Sequence, residues 1–379
     1  MYLLIGADFV PTESNRALFK NGDTSTLFGE KLGSVLKKAE YRIFNLEVPL
    51  TDSFSPIDKQ GPHLMAPTST INGYKAAGVD LLTLANNHIL DQGVQGLHTT
   101  TALLDKYGIA HVGVGEKLED AQQPYIFDFA GKRVGVYACA EHEFSIATDE
   151  TAGANPFDPL FSLDHVAQLK QQCDFVIVLY HGGKEHYRYP SPNLQKTCRR
   201  LVDKGADLVI CQHSHCIGCE EKYASGTIVY GQGNFLFDHS TSEFWQTGLL
   251  IRLDDAFSIS YLSLVKNGNT VRMADETQKD AIMGDFEKRS KEIQSKEFVS
   301  LKYNEFSQDF FKSYLKTFSG STSFLLRAFN RLSGDRIMKQ YLKIKYRKKE
   351  MLAIINCMDC EAHRELCLNM LNRSINPSE

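Results

Sequence analysis

Short apolar runs alternate along the chain with longer amphipathic stretches, and most of the runs end on a polar side chain. Residues 2–8, 41–47, 80–84, 109–114, 175–180, 207–211 and 227–230 have the length and composition of buried strands. Residues 24–39, 68–77, 94–107, 163–173 and 193–204 repeat at the helical period. In the first of these Leu27, Phe28, Leu32, Val35 and Leu36 share one face. Gly78, Gly108 and Gly205 stand where three of the helices should stop. Residues 126–137 read as a hairpin turning at Gly131, and residues 141–158 as a loop. Residues 249–265 read as antiparallel strands broken near Asp254-Asp255. This order predicts an α/β layered domain with mixed sheets. After Asn269 the pattern becomes polar, lysine-rich and helical. The expected organisation is a core domain over residues 1–265 and a helical extension over residues 278–379.

Bulk properties narrow the class. The 379 residues carry a formal net charge of −4, with 42% hydrophobic and 23% charged residues. That is an ordinary globular balance, and it gives no reason to expect a nucleic-acid partner. The nine cysteines are scattered, as reduced thiols in a cytosolic protein are. The apolar run at Tyr2 to Ile5 is too short for a signal peptide or a membrane span. The expectation is a soluble, cytoplasmic protein with no transmembrane segment.

Metal-capable side chains recur where strands should end: Asp8, then Asn45 and Glu47, then Asn87 and His88, then His181, then His213 and His215, then Asn234 with Asp238. One histidine after a strand is usually a solvated residue. Many such positions converging on one sheet edge are a different matter, because parallel strand ends lie side by side there. Carboxylate, amide oxygen and imidazole together suit a borderline divalent metal, Mn, Fe or Zn. Two such ions can clamp an oxygen nucleophile and a tetrahedral phosphorus.

Other motifs are weaker. CQHSHCIGC, residues 211–219, packs its cysteines too tightly for a zinc knuckle, so Cys211 reads as a core thiol. Cys360, His363 and Cys367 can share a helix face, with small apolar thiols as the favoured reading. Gly231-Gln232-Gly233-Asn234 reads as a tight turn that lets backbone approach the site. Arg188, in the loop after His181, has the planar fork that grips carboxylate or phosphate. Glu141-His142-Glu143 reads as a solvated loop. The basic run 343–349 reads as a charged helix face.

The order Asp8, Asn45-Leu46-Glu47, Asn87-His88, His181, His213-Ser214-His215 resembles the calcineurin-like metallophosphoesterase superfamily. FNLEVPLT, LANNHILDQGVQGL, GIAHVGVG, LYHGG, QHSHC and YGQGNFLFD are similar to its CapA branch, the poly-gamma-glutamate capsule synthesis proteins. The resemblance runs from the first residue to about residue 265. It implies a four-layer αββα fold with metals between the two sheets. It implies Asp8, Glu47, Asn87, His181, His213 and His215 as ligands of one or two divalent ions (Mn, Fe or Zn), with Glu47 in the place of a bridging aspartate. His88 would stay off the metals and protonate a leaving group or hold a transition-state oxygen, oriented by Asp91. Asn45, Arg188 and Asn234 are the candidate substrate-binding residues.

Departures from the superfamily pattern matter. Asp8-Phe9-Val10 stands where Asp-x-His is common. Glu47 is longer than aspartate. Ile89 replaces the acid that usually follows the catalytic histidine. A mononuclear site therefore stays open. Family members usually carry an N-terminal membrane anchor, whereas this chain starts at the first strand. The implied function is a metal-dependent hydrolase acting on a phosphoester, or on an amide or polymer substrate linked to capsule or poly-gamma-glutamate biosynthesis. The alternative is a non-hydrolytic metal-binding assembly protein. The expected partners are an anionic small molecule or polymer, and a protein docked by the C-terminal helices.

Overall fold

A computed structural model describes residues 1–318, 333 and 336–375. In it, the alternating apolar runs become two mixed sheets. The first has the order β16 (Thr270–Met273), β15 (Ile259–Asn267), β14 (Thr247–Asp254), β1 (Tyr2–Val10), β2 (Tyr41–Asn45), β3 (Leu81–Thr83), β4 (Ala110–Val112), with β13 (Leu236–Phe237) beside the end of β1. Strands β1 to β4 are parallel, and β14 to β16 form an antiparallel meander. The second sheet has the order β11 (Glu220–Tyr223), β12 (Gly226–Val229), β10 (Leu208–Cys211), β9 (Phe175–His181), β7 (Lys132–Ala140), β6 (Tyr125–Phe129). A small ribbon pairs β5 (Val114–Gly115) with β8 (Gly153–Ala154).

Side chains alternate across each strand, and this alternation builds four layers. Leu3, Ile5, Ile43 and Leu81 of the first sheet pack with Val136, Ala138, Ile177, Leu179, Leu208 and Ile210 of the second. Their neighbours Leu4, Phe44 and Leu82 turn outward, to α1 (Arg16–Asn21), α2 (Thr24–Lys38), α3 (Ile71–Ala77) and α4 (Gly93–Tyr107). Tyr137, Cys139, Val176, Val178 and Val209 turn the other way, to α6 (Ser162–Lys170) and α7 (Pro192–Asp203); the one-turn α5 (Leu118–Ala121) precedes β6. The αββα sandwich follows from strands that are apolar on both faces.

Several elements depart from the sequence reading. Residues 109–114 split at Gly113, where φ is 88° and an added Cβ would meet the Cβ atoms of Ala85 and Ala138 at 2.7 and 2.9 Å. The chain leaves the first sheet at that point. Helix α1 buries only Phe19, and β11 (EEKY) is a polar edge strand, so neither has an apolar period to read. Two compact units are present, Met1–Tyr303 and Asn304–Glu379. The first takes in β16 and α8 (Glu276–Glu292) rather than closing at residue 265. Helix α8 looks like solvent-facing sequence because it buries only Phe286 and Arg289. Those two hold it in place: Phe286 packs on Ile217 and Leu249, and Arg289 Nε donates to the Gly218 carbonyl at 2.7 Å. In the second unit Met338, Leu342 and Tyr346 form a small core. No helix among the described residues is long and apolar enough to cross a membrane.

Two anchors fix the strand ends that matter later. Phe9 sits among the rings of Phe19, Phe28, Phe44, Tyr74 and Phe235, at centroid distances from 4.8 to 5.8 Å, and Tyr74 donates its hydroxyl to the Phe9 carbonyl at 2.6 Å. At the other end of the sheet Arg42 donates to the carbonyls of Leu36 (2.7 Å), Ala39 (2.6 Å) and Gly78 (2.9 Å) and to Asp80 (2.8 Å). It thereby satisfies the orphan carbonyls behind α2 and α3. Replacing Arg42 by Met should destabilise the first unit by roughly 2–4 kcal/mol, seen as a lower urea midpoint with an unchanged m-value.

Candidate metal centre

The parallel pairing of β1 with β2 places Asp8 opposite Asn45, and the chain after β3 turns beside them. Asp8 Oδ1 accepts from Asn45 Nδ2 at 2.7 Å. Asn45 Oδ1 accepts in turn from Thr83 Oγ1 (3.2 Å) and Asn86 Nδ2 (3.3 Å). The Asn45 amide is therefore spent inside the protein. It orients Asp8.

The two asparagines after β3 divide the work. Asn86 is fully buried; its Nδ2 donates to the Leu46 carbonyl at 2.9 Å and its Oδ1 accepts from the His88 N–H at 3.1 Å. It makes the turn. Asn87 Nδ2 donates to Glu143 Oε2 at 3.0 Å, which leaves Asn87 Oδ1 turned to His181 Nε2 at 3.1 Å. Glu143, read from sequence as part of a solvated loop, sets the direction of that amide.

His181 ends β9, and His213 and His215 follow β10. Two groups of ligand atoms result, Glu47 with His181 and His213, and Asp8 with Glu47 and His215, each with all atoms within 4.8 Å of one another. His213 Nδ1 is 2.9 Å from His181 Nε2. Glu47 Oε1 is 3.3 Å from His181 Nε2 and 4.0 Å from His215 Nε2. Asp8 Oδ2 is 3.2 Å from His215 Nδ1. Glu47 belongs to both groups and is completely buried, and neither of its oxygens has a hydrogen-bond donor. Its approach to His181 is close enough for an ion pair but lacks hydrogen-bond geometry. A buried carboxylate without donors costs several kcal/mol. A divalent cation among these atoms would remove that cost, and the mixed oxygen and nitrogen donors suit Mn, Fe or Zn. The residues present fit the ion.

Charge is distributed unevenly over the cluster. Burial alone would raise the Glu47 carboxyl, but His215 and His181 outweigh it and hold Glu47 well below the usual range. Burial and then the charge of Glu47 push Asp8 up. Burial works against a charged His215, yet Glu47 and Asp8 outweigh it and bring that imidazole to about 10. Burial and then His181 hold His213 far below its ordinary value. His213 is thus kept neutral, the form that ligates.

His88 lies outside both groups. Its Nδ1 is 2.7 Å from Asp91 Oδ2, so the aspartate three residues on meets the imidazole, while Ile89 lies next to it in sequence. The completely buried Asp91 also accepts from the Leu64 N–H at 2.6 Å and from the Lys59 ammonium. Nothing in the sequence marks Lys59, which lies in a polar loop without periodicity.

A wall of rings covers His215, whose backbone has φ 52°. Trp245 stacks on it at 4.4 Å and donates its indole N–H to His186 Nε2 at 2.8 Å. Asn234 Oδ1 lies 2.9 Å from His215 Nδ1, while Asn234 Nδ2 is buried with no acceptor. Asn234 therefore orients a candidate ligand and keeps an unused donor. Its turn needs glycine: Gly231 has φ 118°, and a Cβ there would meet Ser214 Oγ at 2.6 Å. Asp238 is drawn away to Lys266 at 2.5 Å. Arg188 donates to the Ile217 carbonyl at 3.2 Å and lies over the Phe244 ring, with Glu243 at 3.6 Å. One nitrogen of its fork is thus tied to the protein backbone. Cys211, Cys216 and Cys219 are buried thiols, and none enters a metal-capable group among the described residues.

A four-layer αββα sandwich with carboxylate, amide and imidazole side chains meeting at the strand ends of both sheets defines a layered α/β protein with a metal-capable cluster between its sheets. Within that class, residues 4–239 match the model of the bacterial capsule synthesis protein family PGA_cap, and the chain belongs to this family. It is similar to the capsule biosynthesis protein CapA of Bacillus anthracis, 32% identical over 213 residues that cover 54% of this chain and 52% of that protein. It is also similar to the PGA biosynthesis protein CapA of Bacillus subtilis (strain 168), 29% identical over 213 residues, 54% of this chain and 55% of that protein. The chain thus spans about half the length of these curated relatives. A crystal structure described as a novel phosphatase from Mycoplasma pneumoniae aligns with a TM-score of 0.44 at 14% identity, over 70% of this chain and 94% of that chain.

The single tryptophan of the sequence is a built-in probe, because it stacks on His215. Adding Mn²⁺ or Zn²⁺ to chelator-treated protein should change its fluorescence saturably. Asn45→Ala should weaken the apparent affinity by roughly 10–100-fold, as loss of a ligand's hydrogen-bond partner does. An unchanged titration would return Asn45 to a role in substrate binding.

Proposed function

We propose that the chain is a metal-dependent hydrolase with a capsule-related role. Its substrate class is a phosphoester, or an amide or polymer linked to capsule or poly-gamma-glutamate biosynthesis. Glu47 carries this reading: a fully buried carboxylate, shared by two ligand groups and left without any donor. Glu47, His181 and His213 would hold one ion with Asn87 Oδ1 beside them. Asp8, Glu47 and His215 would hold a second. Bound there, divalent ions supply Lewis-acid charge to a phosphoryl or carbonyl oxygen. The protein's own side chains do the rest. His88, with Nδ1 held by Asp91, presents Nε2 for proton transfer. Asn234 has a free amide N–H for a substrate oxygen. Trp245 keeps water from one face of His215. The names of the two CapA relatives support an anionic polymer, or a piece of one, as substrate.

Elemental mass spectrometry of untagged protein, wild type and His213→Ala, tests the centre. Bound metal in the wild type and its loss in the variant are expected; equal metal in both sinks the assignment. His88→Ala should keep the metal and lose turnover on a responsive phosphoester or amide by about 10²–10⁴-fold, the usual contribution of a general acid or base.

One observation favours a second reading. Val10, where an imidazole is common, is buried in the apolar cluster beside Phe237, so the Asp8 group has one ligand fewer. A non-hydrolytic assembly protein would tolerate that. In the second unit Leu352, Ile355, Leu366 and Leu368 are exposed, as side chains that dock a biosynthetic partner would be. Metal-loaded protein without turnover on any phosphoester or amide would favour this reading.

A further inference from the structure

Lysine is rarely buried unless it is paired, and Lys59 lies in a loop whose Phe54 is 73% exposed. Yet the Lys59 side chain is only 3% exposed, and its Nζ docks on Asp91 Oδ1. The same ammonium comes within 3.3 Å of His88 Nδ1. The loop does not need the lysine to stay down. Ile57 N–H donates to the Asp91 carbonyl (3.2 Å) and Ser55 N–H to Gln92 Oε1 (2.9 Å), while Gln92 Nε2 donates to the Leu64 carbonyl (3.1 Å). A methionine would fill the same volume. What it would not supply is a charge.

We infer that Lys59 is a positioning residue that fixes which nitrogen His88 offers to the cleft. The inference rests on the reading of His88 as the proton-handling group. Asp91 has no exposed surface, and Lys59 is the one ammonium or guanidinium paired with it among the described residues. With Lys59 on Oδ1 and the Leu64 N–H on Oδ2, the carboxylate stands still, and Oδ2, at 2.7 Å, accepts the hydrogen bond of a protonated Nδ1 of His88, which the ammonium beside it cannot do. The other ring nitrogen, Nε2, is then the one left for chemistry, because the hydrogen bond at one nitrogen decides the state of the other. Without the ammonium Asp91 is a buried charge with no counter-charge. It must turn to another donor or lose its charge, and either change deprives Nδ1 of a fixed acceptor.

The test reads the imidazole itself and needs no substrate. The 379-residue chain, labelled with ¹⁵N-histidine and stripped of metal, is examined by NMR, and the His88 ring among the 12 histidines is assigned by its loss in His88→Gln. Wild type should show the proton on Nδ1. Lys59→Met should lose that single signature and show the other tautomer or a mixture, as should Asp91→Asn. An unchanged His88 ring in Lys59→Met overturns the inference. Should Lys59→Met fail to fold by circular dichroism, Lys59→Gln, which keeps a donor without the charge, takes its place with the same two outcomes. Metal content of the same preparations separates the two readings. A wild type that binds no metal overturns the metal centre and leaves the ring signature to be judged on its own. Full loading with an unchanged ring overturns only the role of Lys59.

Discussion

A carboxylate with no proton donor governs this structure. Glu47 lies where the two sheets meet, fully buried, with the imidazoles of His181 and His215 at 3.3 and 4.0 Å. Such a group is tolerable only if its charge is answered, and the imidazoles alone answer it imperfectly because they crowd one another: His213 and His181 stand 2.9 Å apart. The surrounding arrangement makes sense as support for that knot. Asn45 steadies Asp8, Glu143 steadies Asn87, Asn234 and Trp245 steady His215, and Asp91 steadies His88.

The fold was largely legible because strands that are apolar on both faces announce themselves, and because glycines mark the helix ends. The hairpin turning at Gly131 and the strands broken after Asp254 follow from turn chemistry. Elements that bury little were not legible. Helix α1 buries one side chain, β11 is polar along its length, and α8 buries only Phe286 and Arg289. Tertiary context makes such elements, and a single sequence does not carry that context.

The site divides in the same way. Residues at the ends of apolar runs could be picked out because a parallel sheet brings those ends together; Asp8, Glu47, Asn87, His181, His213 and His215 all arrive at one place. Their supports come from loops, where no period exists to count. Lys59 and Glu143 are ordinary surface residues by sequence; the path of the chain turns Lys59 inward and brings Glu143, still exposed, onto Asn87. Asn45 and Arg188 show the converse. A polar residue near a site can serve the protein itself: Asn45 bonds Asp8, and Arg188 bonds the Ile217 carbonyl.

The ligand groups do not belong to one layer. Asp8 and Glu47 come from the first sheet, while His181, His213 and His215 come from the second. A cation gripped by both is a cross-link between the halves of the sandwich. Occupancy and folding then become one equilibrium, and at a free ion concentration a hundred times the dissociation constant the folded state gains about 2.7 kcal/mol. The supply of metal in the surroundings would set how long the chain survives as well as what it can do.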